Sequence, residues 1–186
     1  MIPVTGILLG VVVGFARGGT PGKLSELRFA AIWVLFLSLI IQILIFPWIL
    51  GTVVVDEATA VLHLVSYTLA GLFLLLNISR LWPVLPGAFL NILVIAVNGG
   101  YMPSDPDALR RAGELGAAEA LAASSDGTLA NVRLMTDTTR LNLLGDRLFV
   151  PEWVPLATAF SIGDVLIAVG IAWIIQAGMK RFAPER

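Results

Sequence analysis

The sequence predicts an all-α integral membrane bundle of about five transmembrane helices, with a helical extracytoplasmic segment between the fourth and fifth spans. Three observations carry this. Hydrophobic residues make up 58% of the 186 and charged residues only 13%, whereas soluble domains run at about 45–50% apolar and about 25% charged. The mean hydropathy is +0.90. The apolar residues also fall into runs close to the roughly 17–25 residues that cross a bilayer.

The first run, residues 2–16, is short, and its cation, Arg17, follows it instead of preceding it. A secretory signal has the opposite order, so this run is expected to be retained as a span. Residues 29–50 carry no charge, residues 58–78 form the third run, and residues 83–98 form a short fourth one. The fifth run, residues 153–179, contains one acid, Asp164. Short spans are accommodated by local thinning of the bilayer or by packing inside a bundle. Trp48, Trp82 and Trp153 stand at the predicted span ends, where interfacial anchors sit. Residues 1–186 are then one membrane domain.

Charge placement orients it. Arg17, Lys23, Arg28, Arg80, Lys180, Arg181 and Arg186 fall on one side, with only Glu26 and Glu185 as acids. The other side carries Arg110, Arg111, Arg133, Arg140 and Arg147 among many more acids. The positive-inside rule puts the first side in the cytoplasm, the N-terminus outside and the C-terminus inside. An odd number of spans requires the same.

Several chemistries are excluded. The chain has no cysteine, hence no disulfide, thiolate metal site or cysteine nucleophile. A single histidine, His63, cannot build a multi-histidine metal or haem centre. No basic stripe suits nucleic acid. No cofactor or metal is expected, and no catalytic set can be assigned.

Residues 99–152 form the outer segment. Asp105 followed by Pro106 is an N-cap and first-turn proline, and the alanine-rich run to Ala123 reads as one helix, broken by Ser124-Ser125-Asp126-Gly127. A second short helix is expected over residues 138–144, capped by Asp137 and ended by Gly145. Its leucines need cover, so the segment is expected to cap the outer mouth of the bundle.

Polar side chains within spans are costly and face the bundle interior. Asp164 shares a helical face with Ala157, Ser161, Ala168 and Ala172, a small-residue face suited to tight packing. Counted from Trp153 at about 1.5 Å per residue, Asp164 lies roughly 16 Å deep, near the midplane. Gly87, Asn91 and Asn98 share one face of the fourth span. His63 lies near the outer end of the third span with Ser66 and Tyr67 one turn on, and Gln42 about two turns from the outer end of the second. Gln42, Asn91 and Ser161 read first as interhelical hydrogen-bonding groups. Asp164 reads first as a ligand site for a cation, proton or polar head group, since an intramembrane acid is a functional candidate by default. Gly6, Gly10 and Gly14 form a repeated GxxxG ridge that lets another helix approach, within the chain or from a second copy or membrane-protein partner.

Four pieces, Arg17-Gly18-Gly19, Asn98-Gly99-Gly100-Tyr101-Met102-Pro103, the run from Thr139 to Asp146, and Ser161-Ile162-Gly163-Asp164, together with Ile175-Gln176, appear in fixed order along the chain. In them the chain resembles an uncharacterised family of bacterial multi-pass membrane proteins, the domain of unknown function numbered 5317. The resemblance implies a bacterial cytoplasmic membrane and supplies no activity. It draws Asp146 into the candidate site, which then comprises Gln42, His63, Asn91, Asn98, Asp146, Ser161 and Asp164. The reading is a membrane protein that contacts lipid and binds or transports a small molecule, ion or lipid head group at an outward-facing site around Asp164. The alternatives are an accessory or scaffolding subunit, and a membrane enzyme using Asp164, His63 and Asp146.

Overall fold

The computed structural model describes residues 2–45 and 58–180. The helices are α1 (Ile2–Ala16), α2 (Ile32–Ile45), α3 (Thr59–Leu76), α4 (Ile78–Leu81), α5 (Leu85–Val97), α6 (Pro106–Arg111), α7 (Leu115–Ala123) and α8 (Ile162–Lys180). Three helical stretches are long and apolar enough to cross a membrane: α3, Ile78–Val97 and α8. α1 and α2 are equally apolar but shorter, at 15 and 14 described residues. The upper end of the second expected span, residues 46–50 with Trp48, lies outside the described residues.

The helices pack in one series: α1 on α8, α8 on α5, α5 on α3, α3 on α2. Among the described residues the two ends of this series, α1 and α2, do not pack closely on each other. The arrangement is an open arc.

Small residues set the close approaches. A Cβ at Gly6 would stand 2.5 Å from the Ala168 carbonyl oxygen, one at Gly10 would stand 2.9 Å from Ala172 Cα, and one at Gly14 would run into the Met179 sulfur. The glycine ridge of α1 is therefore filled by the chain's own last helix. Between α2 and α3, Ser38 Oγ donates to the Ser66 carbonyl at 2.7 Å, above a core of Val34, Phe73 and Leu81. Asn77, which the sequence does not single out, donates to the Phe73 and Ala30 carbonyls and accepts from Ala30 N–H. It thereby ties the end of α3 to the approach to α2.

Polar and small residues are thus buried, while Val12, Trp33, Phe89 and Val169 remain 61–66% exposed on the outer faces. A continuous apolar exterior of this extent suits lipid. At one end Arg17 Nη1 donates to Gln176 Oε1 at 2.7 Å and Thr20 N–H to the Met179 carbonyl. The capping segment covers the other end.

That cap differs from the helical one expected, because it contains two small sheets. Strand β1 (Met102–Ser104) runs parallel to β3 (Val132–Leu134), and β2 (Thr128–Leu129) pairs antiparallel with β3. β4 (Leu148–Val150) pairs antiparallel with β5 (Thr158–Phe160). Leu109, Ala118 and Leu121 form the cap's own core against Leu129, Val132, Leu134 and Ala159. Met102 joins Val94 and Ile95 and fastens the cap to α5.

Three further expectations need correction. The Asp105 cap forms, with Asp107 N–H donating to Asp105 Oδ1 at 2.9 Å, but the helix does not run on to Ala123. Gly113 takes φ 78°, with Gly113 N–H on Arg110 O and Glu114 N–H on Leu109 O. That Schellman pattern ends α6, and α7 starts afresh. Second, residues 138–144 are not a helix. Asn142–Leu144 makes one 3₁₀ turn, and Leu141 has a left-handed φ of 57°. The Thr139 and Asn142 side chains bond the Thr136 carbonyl, a local alternative that competes with helix. Third, the last helix starts at Ile162, because residues 158–160 are held in the β4–β5 hairpin. Asp164 is thus in the first turn of α8, at its cap-side end, and not midway along a span from Trp153.

Candidate functional site

The start of α8 fixes Asp164. Ser161 Oγ accepts from Asp164 N–H at 3.0 Å, and Asp164 Oδ2 accepts from Ser161 N–H at 3.0 Å. This is a reciprocal capping box, and an acid in the first turn also suits the helix dipole. From α5, Asn91 Nδ2 donates to Asp164 Oδ1 at 2.8 Å, and Asn91 Oδ1 accepts from Ser161 Oγ at 2.9 Å. The ring closes because Gly163 has no side chain: Asn91 Oδ1 occupies the place of a Cβ there, and the Gly163 carbonyl lies where a Cβ on Gly87 would be. Asn91 and Ser161 are both buried.

This ring stands at the wall of a cavity of about 730 Å³ under the cap, within the roughly 300–1,000 Å³ of small-molecule sites. Of the residues expected from sequence, Gln42, His63, Asn91, Asp146 and Asp164 line it. Ser161 stands one hydrogen bond behind. Asn98 stands apart: its Nδ2 donates to the Val94 and Arg140 carbonyls and its Oδ1 accepts from Arg140 N–H. It clamps the 140 loop to the end of α5 and does not line the cavity.

His63 is buried, with Nδ1 2.7 Å from the Gly100 carbonyl. A carbonyl can only accept, so Nδ1 carries the proton there. Gly100 reaches that position at φ 97°, with Ala60 packed where a Cβ would be. Tyr67 stands edge-on to His63, ring centroids 5.0 Å apart.

Asp146 enters from the cap. Its N–H donates to the Pro103 carbonyl and its carbonyl accepts from Asp105 N–H, both at 2.9 Å, which extends the edge of β1. Burial, and after it the Asp164 and Glu114 carboxylates, push the Asp146 carboxyl well above the usual carboxylate range.

Ser104, Tyr67, Glu114 and Thr158 also line the cavity and are not reached from sequence. Thr158 Oγ1 donates to Glu114 Oε1 at 3.2 Å. Tyr67 lies one turn from His63, a spacing that could have included it. Glu114 offers no signal, being one acid among several in a polar segment. Among the described residues no Lys or Arg lines the cavity, and no group of three or more His, Asp or Glu is placed to hold a metal ion.

The family of unknown function DUF5317 matches residues 26–176. The chain belongs to that family. The DUF5317 match starts after α1 and takes in the whole Asn91–Ser161–Asp164 ring, His63, Asp146 and the cap. No curated protein and no solved structure matches the chain.

Proposed function

We propose that this DUF5317 protein crosses a bacterial cytoplasmic membrane five times, N-terminus outside, and binds a small molecule, ion or lipid head group in an outward-facing cavity beside Asp164. One observation carries the reading. Gln42, His63, Asn91, Asp146 and Asp164 come from α2, α3, α5, the cap and α8, and they line a single cavity. Polar groups that served only to lock helices together would have no reason to converge on one space. α1 and α2 count as spans through their uninterrupted apolar runs and their place in the packing series. The orientation rests on the cations at the Arg17–Lys180 end, where the cap is absent.

The test is native mass spectrometry of protein extracted gently from its own membrane. A specific bound mass that is lost in Asp164→Asn supports the reading. Bare protein, or the same bound mass in Asp164→Asn, refutes it.

A further inference from the structure

We infer that the cavity takes an amphiphile with a protonated amine head and a single apolar body. The inference rests on the ligand-site reading above and specifies its ligand.

Charge decides the head group. Asp146, Asp164 and Glu114 line the cavity, and among the described residues no Lys or Arg does. An anionic head finds no cation among the described lining residues, whereas an ammonium brings three N–H donors and favours the ionised form of the Asp146 carboxyl, which burial otherwise disfavours.

Ser104 points independently to a ligand. It is 1% exposed, and its Oγ has no hydrogen-bond partner among the described residues. Buried hydroxyls are rarely left unpaired. Met102 and Ser104 line the cavity while Pro103 between them does not, which is the alternation of a strand. The Ser104 side chain therefore belongs to the cavity face, and its bridge partner on the neighbouring segment is Asp146. An ammonium seated at Asp146 finds an acceptor in Ser104 Oγ.

The open arc decides the body. Ile2 and Pro3 of α1 and Leu39 and Ile43 of α2 line the cavity from the two helices that do not pack on each other. Their apolar surfaces flank a gap at the level of the helix ends. An alkyl chain lying there covers apolar surface that the described residues leave open.

The test uses the full chain in phosphatidylcholine nanodiscs, titrated with tetradecylamine, tetradecanol, tetradecanoate and methylammonium. Tetradecylamine is expected to bind once per chain, at least tenfold more tightly than tetradecanol or tetradecanoate, with methylammonium weaker still. Asp146→Asn is expected to erase the preference for amine over alcohol. Ser104→Ala is expected to weaken tetradecylamine about threefold to tenfold with an unchanged Tm, since the hydroxyl bonds none of the described residues. Equal affinity for amine and alcohol, an undiminished preference in Asp146→Asn, or methylammonium binding as tightly as tetradecylamine overturns the inference. If the native preparation carries a mass that Asp164→Asn loses while tetradecylamine shows no preference, the ligand-site reading stands and the amine inference falls.

Discussion

Replacing Asn91 by Asp tests the ring between α5 and α8 with almost no change of shape. The amide nitrogen that donates to Asp164 Oδ1 at 2.8 Å becomes an oxygen. The lost charge-assisted bond is worth about 1.5–3 kcal/mol. Two carboxylates about 4 Å apart at an effective dielectric of about 20 repel by up to about 4 kcal/mol. The side chains relieve part of this by swinging apart, so Asn91→Asp should cost about 3–5 kcal/mol. At about 2–4 °C per kcal/mol for a chain of this size, Tm falls by roughly 6–20 °C. Asp164→Asn alone should cost less, about 1–2 kcal/mol, because a reoriented amide can still face Asn91. The double variant is decisive. The new carboxylate at position 91 accepts from Ser161 Oγ and from the new amide at position 164, whose oxygen accepts Ser161 N–H. Every bond of the ring is then rewritten with donor facing acceptor. Thermal unfolding in detergent, followed by tryptophan fluorescence, should show the double variant at least about 2 kcal/mol more stable than the two single costs summed. Additive losses, or an Asn91→Asp chain as stable as the parent, would refute the ring as an energetic unit.

Asp146→Asn should stabilise the protein as pH rises. Its raised folded pKa means that the native state holds a proton the unfolded chain has released, so stability falls with pH above about 4 by about 1.4 kcal/mol per unit until the folded carboxyl ionises. Tm measured from pH 4.5 to 8 should lose that slope in the variant; an unchanged slope contradicts the assignment. Gly10→Leu should cost at least about 1–3 kcal/mol through overpacking against α8, while Val12→Leu on the exposed face stays within about 0.5 kcal/mol; equal effects would mean that the ridge is not a contact. Because the chain lacks cysteine, single cysteines report topology cleanly. Ser125→Cys in the cap should react with an impermeant maleimide in intact cells and Ser25→Cys only after lysis, and the reverse pattern inverts the orientation.

The helices were legible where the physics is local. The first span matches α1 end to end, and Asp105-Pro106 caps α6 as its chemistry demands. Failures came where a long-range partner or a small motif outweighed composition. Gly113 ends a helix that alanine content would have continued. The β4–β5 pairing holds residues 158–160 extended, and no pattern within that stretch announces it. Ser161-Ile162-Gly163-Asp164 reads as polar residues on a helical face, yet the Ser-x-x-Asp spacing ahead of an apolar run is itself a helix-start signal. Reading it so would have placed Asp164 at the cap-side end. Of the site, the side chains carried by spans were visible as polar exceptions in apolar runs. Ser104, Glu114 and Thr158 sit in a polar segment where no single residue stands out, and only the fold of the cap brings them to the cavity.

The position of α8 has a bearing on biogenesis. It is synthesised after the other described helices, yet α1 and α5 both pack against it, and Asn91 bonds to Ser161 and Asp164. Until α8 is made, the glycine ridge of α1 lacks the helix that fills it, and the α5 asparagine lacks its acceptor. α2, α3 and α5 can pack on one another as they are made, whereas the main packing partner of α1 is α8. A chain halted before residue 162 is left with an unpartnered α1 and an exposed buried-type amide, features that membrane quality control can act on. Pairing of the first described helix would then wait on a helix made after the others described.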